Sequence, residues 1–116
     1  MTAAHFKLDH LVAIVDYNKY IISGTTYEVM DLEPFSRKWE DFGWDVQTVD
    51  GHDVRQLLDA FACATDAGRA PGKPRVILAN TIKGRGLGFM ESDAVHWHAG
   101  HLDEALYALC MKELGA

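Results

Sequence analysis

The chain has 116 residues, of which 48% are hydrophobic and 24% are charged, a composition typical of one small globular domain. Its net charge of −6 argues against nucleic acid or an anionic membrane surface as the main partner, and no apolar run approaches the roughly 20 residues that cross a bilayer. Cys63 and Cys110 lie in apolar helical patterns without a metal-binding spacing, so we expect two buried free thiols in a cytoplasmic protein.

The first predicted strand is residues 11–15, a continuous apolar run rich in branched side chains. Such a run is typical of a strand that is buried on both faces of a parallel sheet. A polar turn follows at residues 16–19. Residues 23–33 have no clean period, so we predict a loop there.

A helix and a second strand come next. Pro34 suits the first turn of a helix that continues through Trp39 and Phe42, and Gly43 ends it. Residues 44–49 alternate between apolar and polar side chains, which predicts a strand nearer the edge of the sheet.

The helix predicted after the turn at Asp50 and Gly51 has the clearest pattern in the chain. Its apolar side chains recur at helical spacing and form one stripe, which is typical of the face that a helix turns to the core. The stripe consists of Val54, Leu57, Leu58, Phe61 and Ala62.

A third predicted strand at residues 75–79 leads into a glycine-rich loop over residues 83–88 and a last helix. That helix is marked by Leu102, Leu106, Leu109 and Cys110, with Asp103 and Glu104 at its positive end. Strands that alternate with helices predict an α/β fold, a parallel sheet with helices on both faces. Ligands of such sheets sit beyond the carboxyl ends of the strands, where residues 16–20 and 80–88 form polar loops.

The loop Asp16-Tyr17-Asn18-Lys19-Tyr20 is a candidate metal site. A hard cation such as Mg²⁺ takes an octahedral set of oxygen ligands. The side-chain oxygen of Asn18 and the backbone carbonyl of Tyr20 can fill two neighbouring positions from one tight turn. A polar turn after a strand is also an ordinary connection, so the loop by itself leaves both interpretations open.

The segment Phe6-Lys7-Leu8-Asp9-His10-Leu11-Val12-Ala13-Ile14-Val15-Asp16-Tyr17-Asn18-Lys19 closely resembles the transketolase family, in which such a strand leads into an Asp-x-Asn-Lys/Arg turn. The resemblance implies that Asn18 binds a divalent metal, Mg²⁺ or in its place Ca²⁺ or Mn²⁺, that bridges to thiamine diphosphate. It implies that Tyr20, where the family usually has an aliphatic residue, gives its carbonyl to the same ion. Ile22 matches an apolar position near the thiazolium ring, and Gly24 matches the following turn.

A second block, Thr81-Ile82-Lys83-Gly84-Arg85-Gly86, and the later Trp97-His98 are similar to two further segments of the family. Glycines let a backbone approach phosphate and a lysine adds positive charge, although such a loop is also a common connection. The resemblance implies that Lys83 and His98 reach the diphosphate of the cofactor. His98, the candidate catalytic residue, would also touch the donor sugar, and His96 is a rival for that role.

Other blocks follow the family in the same order, so that the resemblance covers nearly the whole chain. They are Leu32-Glu33-Pro34-Phe35, Phe42-Gly43-Trp44 and Val49-Asp50-Gly51-His52-Asp53. We expect His52 to be a residue of the turn before a helix rather than a catalytic group. The glycine that follows the family's histidine is Ala99 here.

The family site has parts that this sequence lacks. A Gly-Asp-Gly motif, whose Asp is the charged metal ligand, normally lies upstream of the Asn turn, and the glutamate that activates the cofactor lies on another domain. The start of the chain matches the middle of a family helix. We therefore expect residues 1–116 to be a single partial thiamine diphosphate-binding domain, its C-terminal half. Other transketolase chains would then supply the Gly-Asp-Gly half-site and the pyrimidine domain.

The resemblance implies a component of a transketolase, inactive as a lone chain, that transfers a two-carbon ketol unit between sugar phosphates in a homo- or hetero-oligomer. Two alternatives stay open. One is a piece of an enzyme similar to deoxyxylulose-phosphate synthase or dihydroxyacetone synthase. The other is a non-catalytic remnant that only binds a partner chain.

Overall fold

The computed structural model describes residues 1–66 and 68–115. The strands in these residues are β1 Val12–Tyr17, β2 Tyr20–Ile21, β3 Gly24–Thr25, β4 Asp45–Asp50 and β5 Arg75–Asn80. The α-helices are α1 Thr2–His5, α2 Thr26–Val29, α3 Phe35–Asp41, α4 Val54–Thr65, α5 Gly88–Ser92 and α6 Glu104–Glu113, and a 3₁₀ turn spans His96–His98.

The chain divides into two compact units. The first comprises Met1–Tyr17 and Leu32–Thr81 and contains β1, β4 and β5 with α1, α3 and α4. The second comprises Asn18–Asp31 and the chain from Ile82 onward, and contains β2, β3, α2, α5 and α6.

The first unit is built on a parallel sheet with the strand order β1–β5–β4. In its register, Ile77 of the central strand stands beside Ile14 of β1 and Gln47 of β4. Every residue of β5 from Arg75 to Ala79 is buried, because this strand has neighbours on both sides. The predicted parallel sheet is confirmed.

Helices cover both faces of this sheet. Ile77 packs with Ala60 and Ala64 of α4. Tyr17 pairs with a residue three positions from Ile77 and therefore projects to the opposite face, where its ring lies 4.9 Å from that of Phe35 in α3. The predicted arrangement of helices on both faces is thus confirmed.

The aromatic residues around α3 belong to the packing of that face. The rings of Trp39 and Trp44 meet edge to face with centroids 4.9 Å apart, and Phe35 packs against Trp39 in the same way. Gly43 has a φ of 88° and lies just beyond the last turn of α3, as its position in the sequence predicted.

The prediction for β1 is wrong on two points. The strand lies at an edge of the sheet, and its Ile14 side chain is 57% exposed, so it is not buried on both faces. It also continues through Asp16 and Tyr17, so that the turn begins only at Asn18. An apolar run predicts a strand but does not show how much of each face is covered.

The apolar stripe predicted for α4 is only partly the buried face. The buried residues of the helix are Ala60 and Ala64, whereas Val54 and Leu58 are 69% and 63% exposed. The helix packs on β4 and β5, and small side chains allow it to lie close to the sheet. Of the two free thiols, Cys110 is buried as predicted and Cys63 is only half buried.

The second unit begins with a β-hairpin, in which Tyr20 pairs with Thr25 and Ile21 with Gly24. Helix α2 follows directly, so the loop predicted for residues 23–33 is wrong over its first part. Elements of two and four residues are too short to set a hydrophobic period. None of the helices within residues 1–66 and 68–115 combines the length and apolarity needed to traverse a bilayer.

Candidate functional site

The polar turn after β1 is ordered by the side chain of Asn18. Its Oδ1 accepts a hydrogen bond from the backbone N–H of Tyr20 at 2.9 Å. Between them, Lys19 adopts a φ of 69°, in the left-handed region. An asparagine that bonds its own backbone two residues on is a known way to hold such a turn. One lone pair of the Asn18 oxygen remains for a further contact.

The carbonyl of Tyr20 faces the same edge of the hairpin as Asn18. The backbone N–H of Thr26 donates to the carbonyl of Lys19 at 2.8 Å, so these two residues form a hydrogen-bonded pair. Bonded and non-bonded pairs alternate along antiparallel strands, which makes Tyr20 and Thr25 a non-bonded pair. The N–H and carbonyl of Tyr20 therefore both point away from β3, and the N–H reaches Asn18.

The tip of the hairpin is a two-residue turn whose first residue, Ile22, is 71% exposed. The opposite end of the hairpin is fixed by a capping box, in which Thr25 Oγ1 accepts from the backbone N–H of Glu28 at 3.2 Å and donates to its carboxylate at 2.8 Å. The hydrogen bond from the Thr25 side chain lowers the pKa of Glu28. The hairpin thus presents the exposed apolar side chain of Ile22 at its tip, while the capping box fixes its other end.

The glycine-rich segment after β5 is folded into consecutive turns. The backbone N–H of Arg85 donates to the carbonyl of Ile82 at 3.2 Å, and that of Leu87 to the carbonyl of Gly84 at 3.1 Å. Gly84 has a φ of 78°, and a Cβ there would stand 2.6 Å from Cβ of Met90. Glycine is therefore required at this position for both backbone conformation and space.

Carboxylates hold the backbone of the same segment. The N–H of Gly86 donates to Glu91 at 2.9 Å, and the N–H of Gly88 to Glu113 of α6 at 2.8 Å. The half-buried Lys83, by contrast, makes no ion pair within the described part of the chain. Its positive charge is available to an anion.

The two candidate histidines differ in their surroundings. The ring of His96 packs edge-on against Trp97 at 5.1 Å, and Trp97 also contacts Phe89 at 5.1 Å. A Cβ on Gly100 would lie 2.6 Å from the Trp97 ring, so that residue packs closely beneath it. The His98 side chain is exposed, beside a backbone N–H that donates to Val95 at 3.1 Å. His98 is the freer of the two imidazoles.

All the predicted site residues lie in the second unit. The structure brings Asn18, Tyr20 and Ile22 together on one hairpin and places Lys83 and His98 on the segment after β5. His52 stands in the turn before Asp53, whose carboxylate caps α4, as predicted. Within residues 1–66 and 68–115, no three His, Cys, Asp or Glu side chains gather as a metal-binding group.

Sequence reasoning missed a link between the ends of two strands. The hydroxyl of Thr81, just after β5, donates to the carboxylate of Asp16 near the end of β1. Each residue stands two positions before a candidate site residue, Lys83 and Asn18 respectively. Parallel strands were predicted before both residues. A single sequence does not show which strands pair, so this contact could not be predicted.

Comparison with known proteins shows whether this α/β chain belongs to a specific family. The family model for the transketolase thiamine diphosphate-binding domain matches residues 1–116. The chain belongs to this transketolase family. The resemblance of the sequence is thereby confirmed, and the domain is of the thiamine diphosphate-binding type.

Two curated relatives of this transketolase-family chain are named as subunits. It is 44% identical over 114 residues to the 6-deoxy-6-sulfo-D-fructose transketolase subunit of Clostridium sp. strain MSTE9. It is 37% identical over 114 residues to an apulose-4-phosphate transketolase subunit of Phocaeicola vulgatus. These matches cover 98% of this chain but 40% and 39% of the relatives. The chain therefore spans about two fifths of their length.

Solved structures agree with this assignment. A transketolase from Campylobacter jejuni matches with a TM-score of 0.81 and 26% identity, over 98% of this chain and 17% of that chain. A transketolase mutant of Pichia stipitis, in complex with fructose 6-phosphate, matches with a TM-score of 0.80 and 24% identity, over 98% of this chain and 16% of the other. The second match shows the fold alone.

Proposed function

We propose that this chain is one component of a transketolase that transfers a two-carbon ketol unit between sugar phosphates. Its membership of the thiamine diphosphate-binding family supports thiamine diphosphate as the cofactor. The subunit names of its relatives support an enzyme assembled from more than one chain. The sugars named for those relatives differ from each other, so the donor and acceptor of this chain are not inferred from them.

The observation that supports the proposal is the hydrogen bond from the Tyr20 N–H to Asn18 Oδ1, which holds the Asn18 side chain against the backbone of Tyr20. Asn18 Oδ1 and the carbonyl of Tyr20 face one edge of the hairpin, and both are hard ligands that suit Mg²⁺, Ca²⁺ or Mn²⁺. The turn keeps this geometry through the bond between Asn18 and the Tyr20 N–H, so little ordering is needed when an ion arrives. We assign the metal to these two residues.

The diphosphate of the cofactor is assigned to Lys83 and His98. Lys83 has a positive charge that no carboxylate of the described chain neutralises, and the exposed His98 can donate a hydrogen bond to a phosphate or sugar oxygen. Ile22 offers an apolar contact for the thiazolium ring from the hairpin tip. Thiamine diphosphate supplies the carbanion chemistry when bound, while these residues orient it and stabilise charge.

The site assigned here is half of a cofactor site. Residues 1–116 contain no Gly-Asp-Gly motif, so neither its charged metal ligand nor the glutamate that activates the cofactor is assigned to this chain. We infer that residues 1–116 are a single partial domain and that partner chains complete it. Two neutral oxygens are a weak set for a divalent ion, because charge count sets much of its affinity.

Calorimetry with thiamine diphosphate and Mg²⁺ tests this proposal. The lone chain should show no tight binding. The chain should bind both when co-expressed with the part of the Clostridium relative that lies outside the 114 matched residues. Tight binding by the lone chain would contradict the need for a partner, and a complex that forms without binding the cofactor would favour the non-catalytic remnant.

A further inference from the structure

The residue that precedes the Asn18 turn is the most buried position of β1. Tyr17 is 9% exposed, whereas the residues of the strand before it are half-buried or exposed. Its ring packs on that of Phe35 in α3, with the centroids 4.9 Å apart. Strand β1 therefore ends on a residue that α3 holds, one peptide bond before the candidate metal ligand Asn18.

The hydroxyl of Tyr17 is held as well as its ring. It donates to Oε1 of Glu33, and Oε2 of the same carboxylate accepts from the backbone N–H of Phe35 at 3.0 Å. That N–H belongs to the first turn of α3, where backbone donors take their partners from outside the helix. Glu33 thus joins the end of β1 to the start of α3, through hydrogen bonds to a carboxylate, which are stronger than those between neutral groups.

A long backbone bond follows the last pair of strands β1 and β5. The carbonyl of Tyr17 accepts from the N–H of Thr81 at 3.3 Å, slightly beyond the usual range for such bonds. The next residue, Asn18, has left the strand, and Lys19 adopts a left-handed φ of 69°. The side chain of Tyr17 therefore adds a second attachment at the point where the turn leaves the sheet.

We propose that Tyr17 and Glu33 are positioning residues for the Asn18 turn. By fixing the Tyr17 side chain on α3, the pair limits the motion of the backbone that carries Asn18, and so keeps Asn18 Oδ1 against the N–H of Tyr20. Ligands that are held in place before an ion arrives lose less freedom on binding, which raises the affinity for Mg²⁺ without a new contact. In this role neither residue contacts the ion or the cofactor. The inference rests on the proposed function, because it concerns the same metal site.

Hydrogen exchange of the Tyr20 N–H, followed by NMR on the natural chain, reports on the Asn18 turn directly. Tyr17→Phe keeps the ring and removes the hydroxyl, and should make this exchange about three- to tenfold faster, the equivalent of one net hydrogen bond. Tyr27→Phe is the matched control, because the Tyr27 side chain is 79% exposed on α2 and loses the same group. Equal exchange rates in Tyr17→Phe and the natural chain would overturn the positioning role.

Variants of Glu33 test the partner. Glu33→Ala should accelerate the exchange as Tyr17→Phe does, and combining the two should add little, because both remove the same bond. Glu33→Gln restores an acceptor for the hydroxyl and should return the rate toward that of the natural chain. Fully additive effects, or no recovery with Glu33→Gln, would overturn the assigned pair. Acceleration of amides throughout the sheet by the same factor would reveal a loss of overall stability and overturn the local role.

Titration of the assembled complex with Mg²⁺, in the presence of thiamine diphosphate, separates this inference from the proposed function. Tyr17→Phe should raise the Kd for Mg²⁺ about three- to tenfold and lower turnover far less once Mg²⁺ saturates the site, a split that a merely structural role would not produce. A complex of the natural chain that binds no Mg²⁺ would overturn the proposed function, while faster exchange in Tyr17→Phe would still uphold the link between Tyr17 and the turn. Normal binding by the natural chain with an unchanged Kd in Tyr17→Phe would uphold the proposed function and overturn the positioning role.

Discussion

The hydroxyl of Thr81 donates a hydrogen bond to the carboxylate of Asp16 and ties the carboxyl end of β5 to that of β1. The backbone adds to this link, because the N–H of Thr81 donates to the carbonyl of Tyr17 at 3.3 Å. Asn18 and Lys83 follow closely after these strand ends. The two segments that carry the proposed site thus leave the sheet from positions that are fixed relative to each other.

Replacing Thr81 by valine should lower the free energy of unfolding by about 0.5–1.5 kcal/mol, the usual net contribution of a hydrogen bond. Thr48→Val is the control, since Thr48 lies exposed on β4 and valine is favoured in strands. Urea unfolding measures both. Equal stability of Thr81→Val and the natural chain would show that the bond to Asp16 contributes nothing.

Gly84→Ala should destabilise the segment after β5 by about 1–3 kcal/mol, because a φ of 78° and a contact of 2.6 Å with Met90 both oppose a Cβ. Gly88→Ala is a matched control four residues on. A Cβ at Gly88 would meet only the Glu113 carboxylate at 3.9 Å, so this variant should be neutral or slightly more stable. An equal fall in the melting temperature of both variants would contradict the assigned role of Gly84.

The N-cap of α4 should give the stability a dependence on acid. Asp53 accepts from the side chain and backbone N–H of Gln56, and these bonds lower the pKa of its carboxyl group. A lowered folded pKa means that the stabilisation is complete above the ordinary value of 3.8 and disappears as the pH falls through the folded pKa. The gap in unfolding free energy between the natural chain and Asp53→Asn should therefore narrow as the pH falls below 3.8. A gap that stays constant between neutral pH and acid would contradict this cause.

In the assembled enzyme, His98→Ala should lower turnover more than His96→Ala. Loss of a hydrogen bond to a charged group corresponds to about 10-fold to 100-fold in rate. The His96 ring packs on Trp97, so its removal should act mainly on stability. Steady-state rates and unfolding midpoints of both variants distinguish the two roles. A larger loss of turnover with His96→Ala would assign the catalytic role to His96 instead of His98.

Some of the fold was predictable because single residues carried enough information. The run from Arg75 to Ala79 forms a strand as predicted. Asp103, predicted at the positive end of the last helix, accepts a hydrogen bond of 2.8 Å from the N–H of Leu106 in α6. The partial burial of β1 and of the α4 stripe was not predictable. Ile14 and Leu58 are apolar and more than half exposed, and an apolar pattern does not show which of its side chains are covered.

The candidate site was likewise predictable only in part. The turn at Asn18 was identified from residue type and resemblance, but the bond that aligns Tyr20 with it depends on a hairpin of two-residue strands. A capping-box spacing, Thr25 to Glu28, was the sequence signal that could have revealed α2. The pairing of Asp16 with Thr81 spans 65 positions and has no signal in a single sequence.

The most direct test of the account is Mg²⁺ titration of the assembled complex, in the presence of thiamine diphosphate, with variants of Asn18. Asn18→Ala should weaken Mg²⁺ binding by about tenfold or more, since it removes one ligand and the bond that aligns Tyr20. Asn18→Asp should preserve binding, because a carboxylate oxygen can accept from Tyr20 and bind the ion. Ser23→Ala, in the exposed turn of the same hairpin, is the control. Unchanged Mg²⁺ affinity in Asn18→Ala would contradict the metal role of the turn.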